Sequence, residues 1–478
     1  MYKKLKIEEK VKWSEYLKLL FALAFPVAMQ NLLTTTASMV DTIMIGSRGQ
    51  LAVGAVGICS QIGSLFFSSY WGFSCACMMF LSQYWGEKNE KGMSKTMGLS
   101  FVCMLGISLI FGSICVFRPD FILGIYTDKQ NIIREAIPYM RIVGFAYPLQ
   151  AMTVLLGNLL RATERVKPCL FTSIVSLLVN FSLNWVLIYG RFGMPKMGVA
   201  GAAVGTVVSS LVSVILILFF LKITKCEIKI QFREIYHFKG FFKNYVKKAF
   251  PILCNEVLYG IGQMIINVVM GHQDENAIAA MTAFRVCEGF VFAFFGGLST
   301  ASSVSIGKEV GSGHPFRALS FAKKAALACP IITFAIVGIC CLINRPLLGL
   351  FHLEPQAMTY GKYMLLIYLV FGTIRTSNYI MNEGFRAGGE SMFGALVETG
   401  FLFLISVPAT WATGMIFKLP FLIVFGFVYT DEIMRFIVEV IYLFSGKWVK
   451  PVTDVGKEAL PAYYDKMGIR PKTKKSRS

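Results

Sequence analysis

Two carboxylates and two amides stand out because each lies within a long apolar stretch of the chain. Asp41 is surrounded by Met, Val and Ile, and Glu256 follows Pro251 by five residues in another apolar stretch. Asn180 and Asn184 are four residues apart, so a helix would present both on one face. A carboxylate in such surroundings can bind and release a proton, and carboxylate and amide oxygens can together coordinate a hard cation. These residue types therefore indicate cation binding: Asp41 is a candidate for binding H⁺ or a cation, and the Asn180 and Asn184 oxygens could orient a carboxylate or coordinate Na⁺.

Each of these residues also has an ordinary structural interpretation. Asp41 lies five residues before Gly46, so its carboxylate could end a helix and reach a polar boundary. Asn180 and Asn184 could hydrogen-bond to a neighbouring helix, and Glu256 could be held by a buried hydrogen bond. The sequence leaves these alternatives open, although the cost of burying an ionised carboxylate favours a functional role.

Further polar residues lie in other apolar stretches. Arg285 and Glu288 are three residues apart and are expected to pair along one helix. Arg375 and Glu398 lack a local partner, so we expect them to pair with each other or to contact an ion or substrate. Thr206 is a weaker candidate for such a contact. A last cluster is expected to neutralise itself and consists of Asp431, Glu432, Arg435 and Glu439.

The stretches that carry these residues are typical of a membrane protein. Of the 478 residues, 55% are hydrophobic and 15% are charged, whereas soluble domains have about 25% charged residues. Short polar breaks separate apolar stretches of roughly 20 residues or more, the length that crosses a bilayer core. The first stretch is too long for the apolar part of a cleavable signal peptide. We predict twelve membrane-spanning helices, at about 17–45, 51–82, 93–117, 133–158, 168–189, 198–222, 247–270, 277–306, 321–343, 358–382, 392–416 and 419–445.

The sequence repeats itself with an offset of 225 residues. Ala24-Phe25-Pro26 recurs as Ala249-Phe250-Pro251, and several glycines follow the same offset, among them Gly46 and Gly271, Gly72 and Gly297, and Gly86 and Gly311. A long repeat in an apolar chain is typical of a transporter built from two homologous halves. Because six spans is an even number, both halves are expected to share one orientation, related by a pseudo-two-fold axis along the membrane normal. Pro26 permits a helix kink and is a candidate hinge.

The basic residues predict the topology. The net charge is +20, and most Lys and Arg residues fall on one side of the membrane if the N-terminus is cytoplasmic, as the positive-inside rule requires. We therefore expect cytoplasmic termini and contact with lipid headgroups, and no binding of nucleic acid. The predicted segments are an N-terminal leader (1–16), an N-lobe with six helices (17–222), a linker (223–246), a C-lobe with six helices (247–445) and a basic, loosely ordered tail (446–478).

Several motifs resemble those of multidrug and toxic compound extrusion (MATE) transporters. In the first half they are Pro26 with Gln30, Val40-Asp41-Thr42-Ile43-Met44-Ile45-Gly46, Ser82-Gln83-Tyr84-Trp85-Gly86, Leu160-Arg161-Ala162-Thr163 and Gly198-Val199-Ala200-Gly201-Ala202-Ala203. In the second half the motif is Phe385-Arg386-Ala387-Gly388-Gly389-Glu390. The resemblance covers nearly all of residues 15–445. It implies an all-α membrane protein with twelve helices in two six-helix lobes around a V-shaped cavity.

The resemblance also implies roles for individual residues. Asp41, Asn180 and Asn184 match the ion-coupling network in the first lobe of such transporters, and Glu256 is similar to a carboxylate on helix 7 of NorM-type and eukaryotic members. Asn184 stands where DinF-type members have an aspartate, and Asn378 falls near the helix 10 aspartate of NorM-type members. These departures leave the choice between a NorM-like and a DinF-like subtype open.

Together these observations favour a secondary active multidrug exporter in the cell membrane. It would export amphipathic, cationic organic compounds in exchange for H⁺ or Na⁺, as a monomer that is not an enzyme. The nearest alternative is a lipid-linked saccharide flippase of the same wider superfamily, which would need arginines facing its cavity. A membrane-embedded transferase would need clustered His, Asp or Ser, and the sequence shows none. The cysteines have no pattern typical of a zinc site or a disulfide framework, and no cofactor is expected.

Overall fold

The computed structural model describes residues 11–46, 49–223, 239–349, 351 and 353–469, and these residues form helices and turns without a β-strand. The first half contains α1 (Trp13–Gly46), α2 (Gln50–Glu87), α3 (Glu90–Phe117), α4 (Pro119–Gly124), α5 (Gln130–Val143), α6 (Ala146–Ala162), α7 (Lys167–Tyr189) and α8 (Val199–Ile223). The second half contains α9 (Lys239–Gly271), α10 (Glu275–Gly311), α11 (Pro315–Leu342), α12 (Asn344–Gly349), α13 (Pro355–Ala387), α14 (Met392–Phe401), α15 (Val407–Trp411), α16 (Phe421–Phe427), α17 (Thr430–Ser445) and α18 (Asp454–Lys466). Two π-helical segments, Leu402–Ser406 and Ala412–Ile416, flank α15.

The lengths and apolar character of these helices confirm the all-helical membrane fold. Within the described residues, ten helices are long and apolar enough to cross a bilayer, and α5 with α6 adds an eleventh span that bends by 48°. The predicted twelfth span, 419–445, is divided between α16 and α17. It falls outside this count because α16 has 7 residues and α17 has 16, so neither helix alone has the length of a span. Pro26 lies inside the continuous helix α1, so its role as a hinge stays a prediction.

The chain divides into two compact units. The N-terminal unit comprises Phe25–Leu81 and Lys91–Leu253. The C-terminal unit comprises Cys254 onwards, together with the start of α1 up to Ala24 and the segment Ser82–Glu90. The division therefore runs through α1, α2 and α9, whereas the sequence places the lobe boundary in the linker. Of that linker, 224–238 lies outside the described residues, and α9 begins at Lys239.

The start of α1 packs against α11 within the C-terminal unit. The Tyr16 hydroxyl lies 3.8 Å from Cys329 Sγ, and the Tyr16 ring centroid is 5.9 Å from that of Phe321. The Arg317 guanidinium donates to Glu15 at 2.9 Å. Since α1 begins at Trp13, the end of the predicted leader is already helical, and residues 1–10 lie outside the described part of the chain.

The ends of α2 and α10 cross where residues related by the 225-residue offset meet. A Cβ atom on Gly86 would overlap the Lys308 carbonyl oxygen, and a Cβ atom on Gly311 would overlap the Gln83 carbonyl group. Gly86 corresponds to Gly311 and Gln83 corresponds to Lys308 under the offset. The crossing therefore has local two-fold symmetry, and the backbones approach closely because neither glycine has a side chain.

The segment after α17 is ordered, so the expectation of a loosely ordered tail is wrong for residues 446–469. Gly446 ends α17 with a φ of +67°, a conformation that favours glycine. The chain then buries Trp448 completely and continues into α18, where Tyr463 is 1% exposed. These aromatic side chains bury enough apolar surface to order a segment that composition alone presents as polar.

Polar contacts attach this C-terminal segment to the end of α2. The Gln83 side chain is fully buried, donates to the Ala387 carbonyl oxygen at 2.7 Å and accepts from the Val452 amide at 2.8 Å. One Glu87 carboxylate oxygen accepts from the Asp454 amide at 2.9 Å, at the start of α18. The C-terminal segment thus helps to hold Ser82–Glu90 in the C-terminal unit.

Candidate functional site

Asp41, Asn180 and Asn184 come together in the N-terminal unit. The Asn184 amide nitrogen donates to Asp41 Oδ1 at 2.6 Å and to Asn180 Oδ1 at 3.2 Å. Asn184 is fully buried and Asn180 is 8% exposed. The structure therefore joins a carboxylate on α1 to two amides on one face of α7, as their spacing predicts.

A glycine on α8 makes room for the Asn184 side chain. A Cβ atom on Gly205 would overlap Asn184 Oδ1, so any larger residue there would displace the amide. Among the described residues, Asn184 Oδ1 is buried and has no hydrogen-bond partner. Such an oxygen costs free energy, and a ligand that approached it would offset that cost.

The surroundings of Asp41 are mostly apolar. Met44 and Ile45, the next turn of α1, belong to a buried cluster with Ile188 of α7 and Val199 of α8. The rings of Tyr139, Trp185 and Tyr189 and the side chain of Val40 pack against this cluster. Asp41 itself is half-buried and precedes this apolar cluster by one helical turn.

The donor set is compatible with a proton or with Na⁺ at Asp41. Asp41 and Asn180 supply oxygens on either side of the Asn184 amino group. Half a turn of the Asn184 amide would place its unpartnered oxygen beside them, giving three oxygen ligands of the kind Na⁺ accepts. The Thr206 hydroxyl donates to the Ala202 carbonyl oxygen on its own helix at 3.0 Å, and its contact with an ion or substrate stays a prediction.

Glu256 and Asn255 have different surroundings in the C-terminal unit. Within the described chain, Glu256 makes no hydrogen bond or ion pair, and its role in coupling stays a prediction. Its neighbour Asn255 is 3% exposed and donates to Glu398 Oε2 at 2.8 Å. Asn255 corresponds to Gln30 under the 225-residue offset, and Gln30 accepts a hydrogen bond from Arg161 at 2.9 Å.

Glu398 is the centre of a buried polar network. Asn382 donates to Glu398 Oε2 at 3.2 Å, and Arg435 donates to Glu398 Oε1 at 3.3 Å. Arg386 lies 3.8 Å from Glu398 Oε2 and pairs with Glu383 at 2.6 Å. Glu398 thus pairs with Arg435 and Arg386, and the expected pair with Arg375 is wrong.

Arg375 pairs with residues on three other helices. Its guanidinium contacts Glu288 at 2.6 Å, the Tyr259 hydroxyl at 3.0 Å and Glu432 at 3.7 Å. Arg285 instead donates to Asn267 Oδ1, so the expected pair of Arg285 with Glu288 is also wrong. Arg375 reaches Glu288 through Nη1, while its Nη2 and Nε contact Tyr259 and Glu432, so each nitrogen of the guanidinium has its own partner.

The cluster on α17 does not neutralise itself. Arg435, only 4% exposed, lies within 3.8 Å of carboxylates of Asp431, Glu432 and Glu439 as well as Glu398. Both Glu439 carboxylate oxygens are buried without a hydrogen-bond partner among the described residues. The single positive charge of Arg435 therefore lies within 3.8 Å of four carboxylates.

The whole network carries an excess of negative charge. Three arginines, Arg375, Arg386 and Arg435, lie within 3.8 Å of six carboxylates, so full ionisation would leave three uncompensated negative charges. Buried charge without a partner is strongly destabilising, and uptake of cations or protons would relieve it. Arg375, one of the arginines on which the flippase alternative depends, is engaged by Glu288 and Glu432, whereas Arg285 is exposed. No group of three His, Cys, Asp or Glu residues in the described chain is arranged to hold a metal ion.

Sequence reasoning missed Asn255, Asn382 and the central position of Arg435. One signal was available, because Asn378 and Asn382 are four residues apart on α13, as Asn180 and Asn184 are on α7. Asn378 donates to Glu432 Oε2 at 2.8 Å, so a carboxylate from α17 lies beside the amide at this position.

Comparison with known proteins accounts for both halves of the chain. The MatE family model matches residues 26–186 and 251–412, two stretches whose starts differ by the 225 residues of the internal repeat. The probable multidrug resistance protein YoeA of Bacillus subtilis is 26% identical over 412 residues, covering 83% of this chain and 87% of that protein. The multidrug resistance protein NorM of Vibrio cholerae is 22% identical, with the same coverage of each chain.

Solved structures share the fold. The Vibrio cholerae MATE transporter VcmN in its bent form has a TM-score of 0.81 at 15% identity, covering 94% of this chain and 98% of that one. An outward-facing MATE family transporter of the MOP superfamily has a TM-score of 0.79 at 18% identity, covering 92% of this chain and all of that one. With the family model matching both halves, the chain belongs to the MatE family and is a multi-pass membrane transporter of the MATE type.

Proposed function

We propose that this transporter exports amphipathic organic cations across the plasma membrane in exchange for H⁺ or Na⁺, and that Asp41 binds the coupling ion. The observation that carries this proposal is the 2.6 Å contact between the half-buried Asp41 Oδ1 and the buried Asn184 amide, next to a mostly apolar cluster. The names of the relatives YoeA and NorM, both multidrug resistance proteins, support the substrate class. We further propose cytoplasmic termini, from the distribution of basic residues, and a monomer.

The coupling would work through the hydrogen bonds of Asp41. A proton or Na⁺ on its carboxylate removes the charge that orients the Asn184 amide, so the contact between α1 and α7 changes. An ion can drive transport only if it binds one conformation more tightly than another. Pro26, fifteen residues before Asp41 in α1, is the position at which that helix could bend in response.

Efflux from proteoliposomes tests this proposal. The native chain is reconstituted with ethidium inside, and efflux is measured under an imposed H⁺ gradient, an imposed Na⁺ gradient or neither. Asp41→Asn removes the ionisable group and keeps the size of the side chain. Asp120→Asn is the matched control, since Asp120 is exposed on α4 and, within the described residues, pairs with the exposed Arg118 alone.

We expect efflux that follows one of the two gradients in the native chain and in the Asp120→Asn variant. In Asp41→Asn that gradient should no longer accelerate efflux. Full gradient-driven efflux in Asp41→Asn would contradict the role of Asp41 and direct attention to Glu256. Absence of cation efflux from the native chain would contradict the proposed substrate class.

A further inference from the structure

The C-terminal unit contains a cavity of about 180 Å³, separate from the Asp41 site. Helices α9, α10, α13 and α17 supply its polar lining, including Tyr259, Glu288, Arg375, Asp431 and Glu432. A cavity of about 150 Å³ in another protein binds a benzene molecule. This cavity is therefore large enough for one aromatic ring or a small substituted ammonium group, and too small for a whole drug-sized molecule.

The cavity lining contains three carboxylates and two arginines. The carboxylates are those of Glu288, Asp431 and Glu432. Arg375 is already engaged by Glu288 and Glu432, and Arg285 is exposed and bound to Asn267. Behind the lining, Arg435 shares its single charge among four carboxylates. A cation entering the cavity therefore meets carboxylates that the arginines do not fully neutralise.

Aromatic rings form a second part of the lining. Phe284 packs edge-on against Phe425 with ring centroids 5.3 Å apart, and Phe425 packs edge-on against Tyr429 at 5.4 Å. Phe284, Phe425 and Tyr429 are all buried, so their mutual packing fixes the wall. Aromatic faces attract cations, and the attraction is strongest where water is excluded.

We propose that this cavity binds the ammonium headgroup of the exported cation, with Glu288 as its principal counter-ion. The headgroup would share Glu288 with Arg375 and lie against the aromatic wall, while the apolar remainder of the molecule stays outside the cavity. Glu288 is the suitable partner because its side chain is 24% exposed, whereas that of Glu432 is 6% exposed. This inference rests on the proposed export of organic cations and names the place in the chain that recognises them.

Competition binding tests the inference. The full chain in lipid nanodiscs is saturated with ethidium, and its fluorescence anisotropy is followed as competitors are added. Benzyltrimethylammonium has a headgroup that fits the cavity, and neopentylbenzene is its uncharged analogue of equal shape. Glu288→Gln removes the charge, Glu288→Asp keeps it, and Glu458→Gln on the exposed face of α18 is the control.

We expect benzyltrimethylammonium to displace ethidium and neopentylbenzene to be much weaker. Glu288→Gln should bind benzyltrimethylammonium about tenfold more weakly, the usual consequence of losing one charged contact. Glu288→Asp should retain most of the affinity, and Glu458→Gln should retain all of it. Retained affinity in Glu288→Asp would show that the fold tolerates substitution at this position. The lower affinity of Glu288→Gln would then result from the loss of the negative charge.

Two results would overturn the inference. One is equal affinity of the native chain and Glu288→Gln for benzyltrimethylammonium, and the other is equal displacement by the charged and uncharged competitors. If either result is found while the native chain still exports ethidium along an imposed gradient, only the assignment of the ammonium headgroup to this cavity fails. If the native chain neither binds nor exports ethidium, the proposed function fails with it.

Discussion

Replacing Arg435 by methionine should strongly destabilise the C-terminal unit. Arg435 is 4% exposed and lies 3.3 to 3.8 Å from the carboxylates of Glu398, Asp431, Glu432 and Glu439. Removing one partner from a buried ion pair costs about 3–5 kcal/mol, because the remaining charge is left unpaired. For a unit of this size, each kcal/mol lowers the unfolding temperature by roughly 2–4 °C. We therefore expect Arg435→Met to lower the unfolding temperature by about 10 °C.

Thermal unfolding of the detergent-solubilised chain, followed by tryptophan fluorescence, measures this effect. Arg118→Met is the matched control, since Arg118 forms an exposed pair with Asp120 that should contribute less than about 1 kcal/mol. The double variant Arg435→Met with Glu439→Gln should recover part of the lost stability, because it removes one surplus carboxylate. An unfolding temperature of Arg435→Met within about 2 °C of the native value would refute the conclusion that buried negative charge depends on this guanidinium.

Three further substitutions test close contacts. Gly205→Ala should displace the Asn184 amide from Asp41 at a cost of about 1–3 kcal/mol, reducing gradient-driven efflux while passive ethidium leakage stays unchanged. Gly311→Ala should separate α10 from the Gln83 backbone and lower the unfolding temperature. Gly289→Ala is the control, because a Cβ atom there would meet nothing within 4 Å. The exposed Gly468 is not a suitable control position, because its φ of +65° would itself strain an alanine. Trp448→Ala should destabilise by about 3–5 kcal/mol, and limited proteolysis should then cleave the C-terminal segment faster; equal cleavage in both proteins would contradict its packing role.

Much of the fold follows from local sequence properties. Apolar stretches of bilayer length predict the helices, and the 225-residue repeat predicts the matching halves, which the family match confirms. Asp41, Asn180 and Asn184 were found because a carboxylate or an amide in an apolar stretch is unusual by itself. The spacing of Asn180 and Asn184 placed both on one helix face, and the resemblance to MATE transporters placed Asp41 beside them.

The network around Glu398 could not be derived in the same way. Pairing along one helix depends on spacing, whereas the partners Asn255, Asn382 and Arg435 come from three different helices. The preference of Glu288 for Arg375 over the nearby Arg285 likewise depends on the packing of α10 against α13. Long-range geometry of this kind leaves no periodic signal in the sequence.

The C-terminal segment shows a different limit of composition. Its lysines, arginines and prolines predict a solvated tail, yet Trp448 and Tyr463 are almost completely buried. Each of these two aromatic side chains buries a large apolar surface. Their burial orders the segment although the residues around them are charged and polar.

The division of α1 between the two units has a consequence for biosynthesis. Tyr16 packs against Cys329, which the ribosome adds 313 residues later. At about 5–20 residues per second, the start of the first helix waits roughly 15–60 s for its partner. The N-terminal unit in turn needs α9 as far as Leu253. Because each unit includes a segment from the other half of the chain, we expect neither unit to be complete until synthesis has reached the second half.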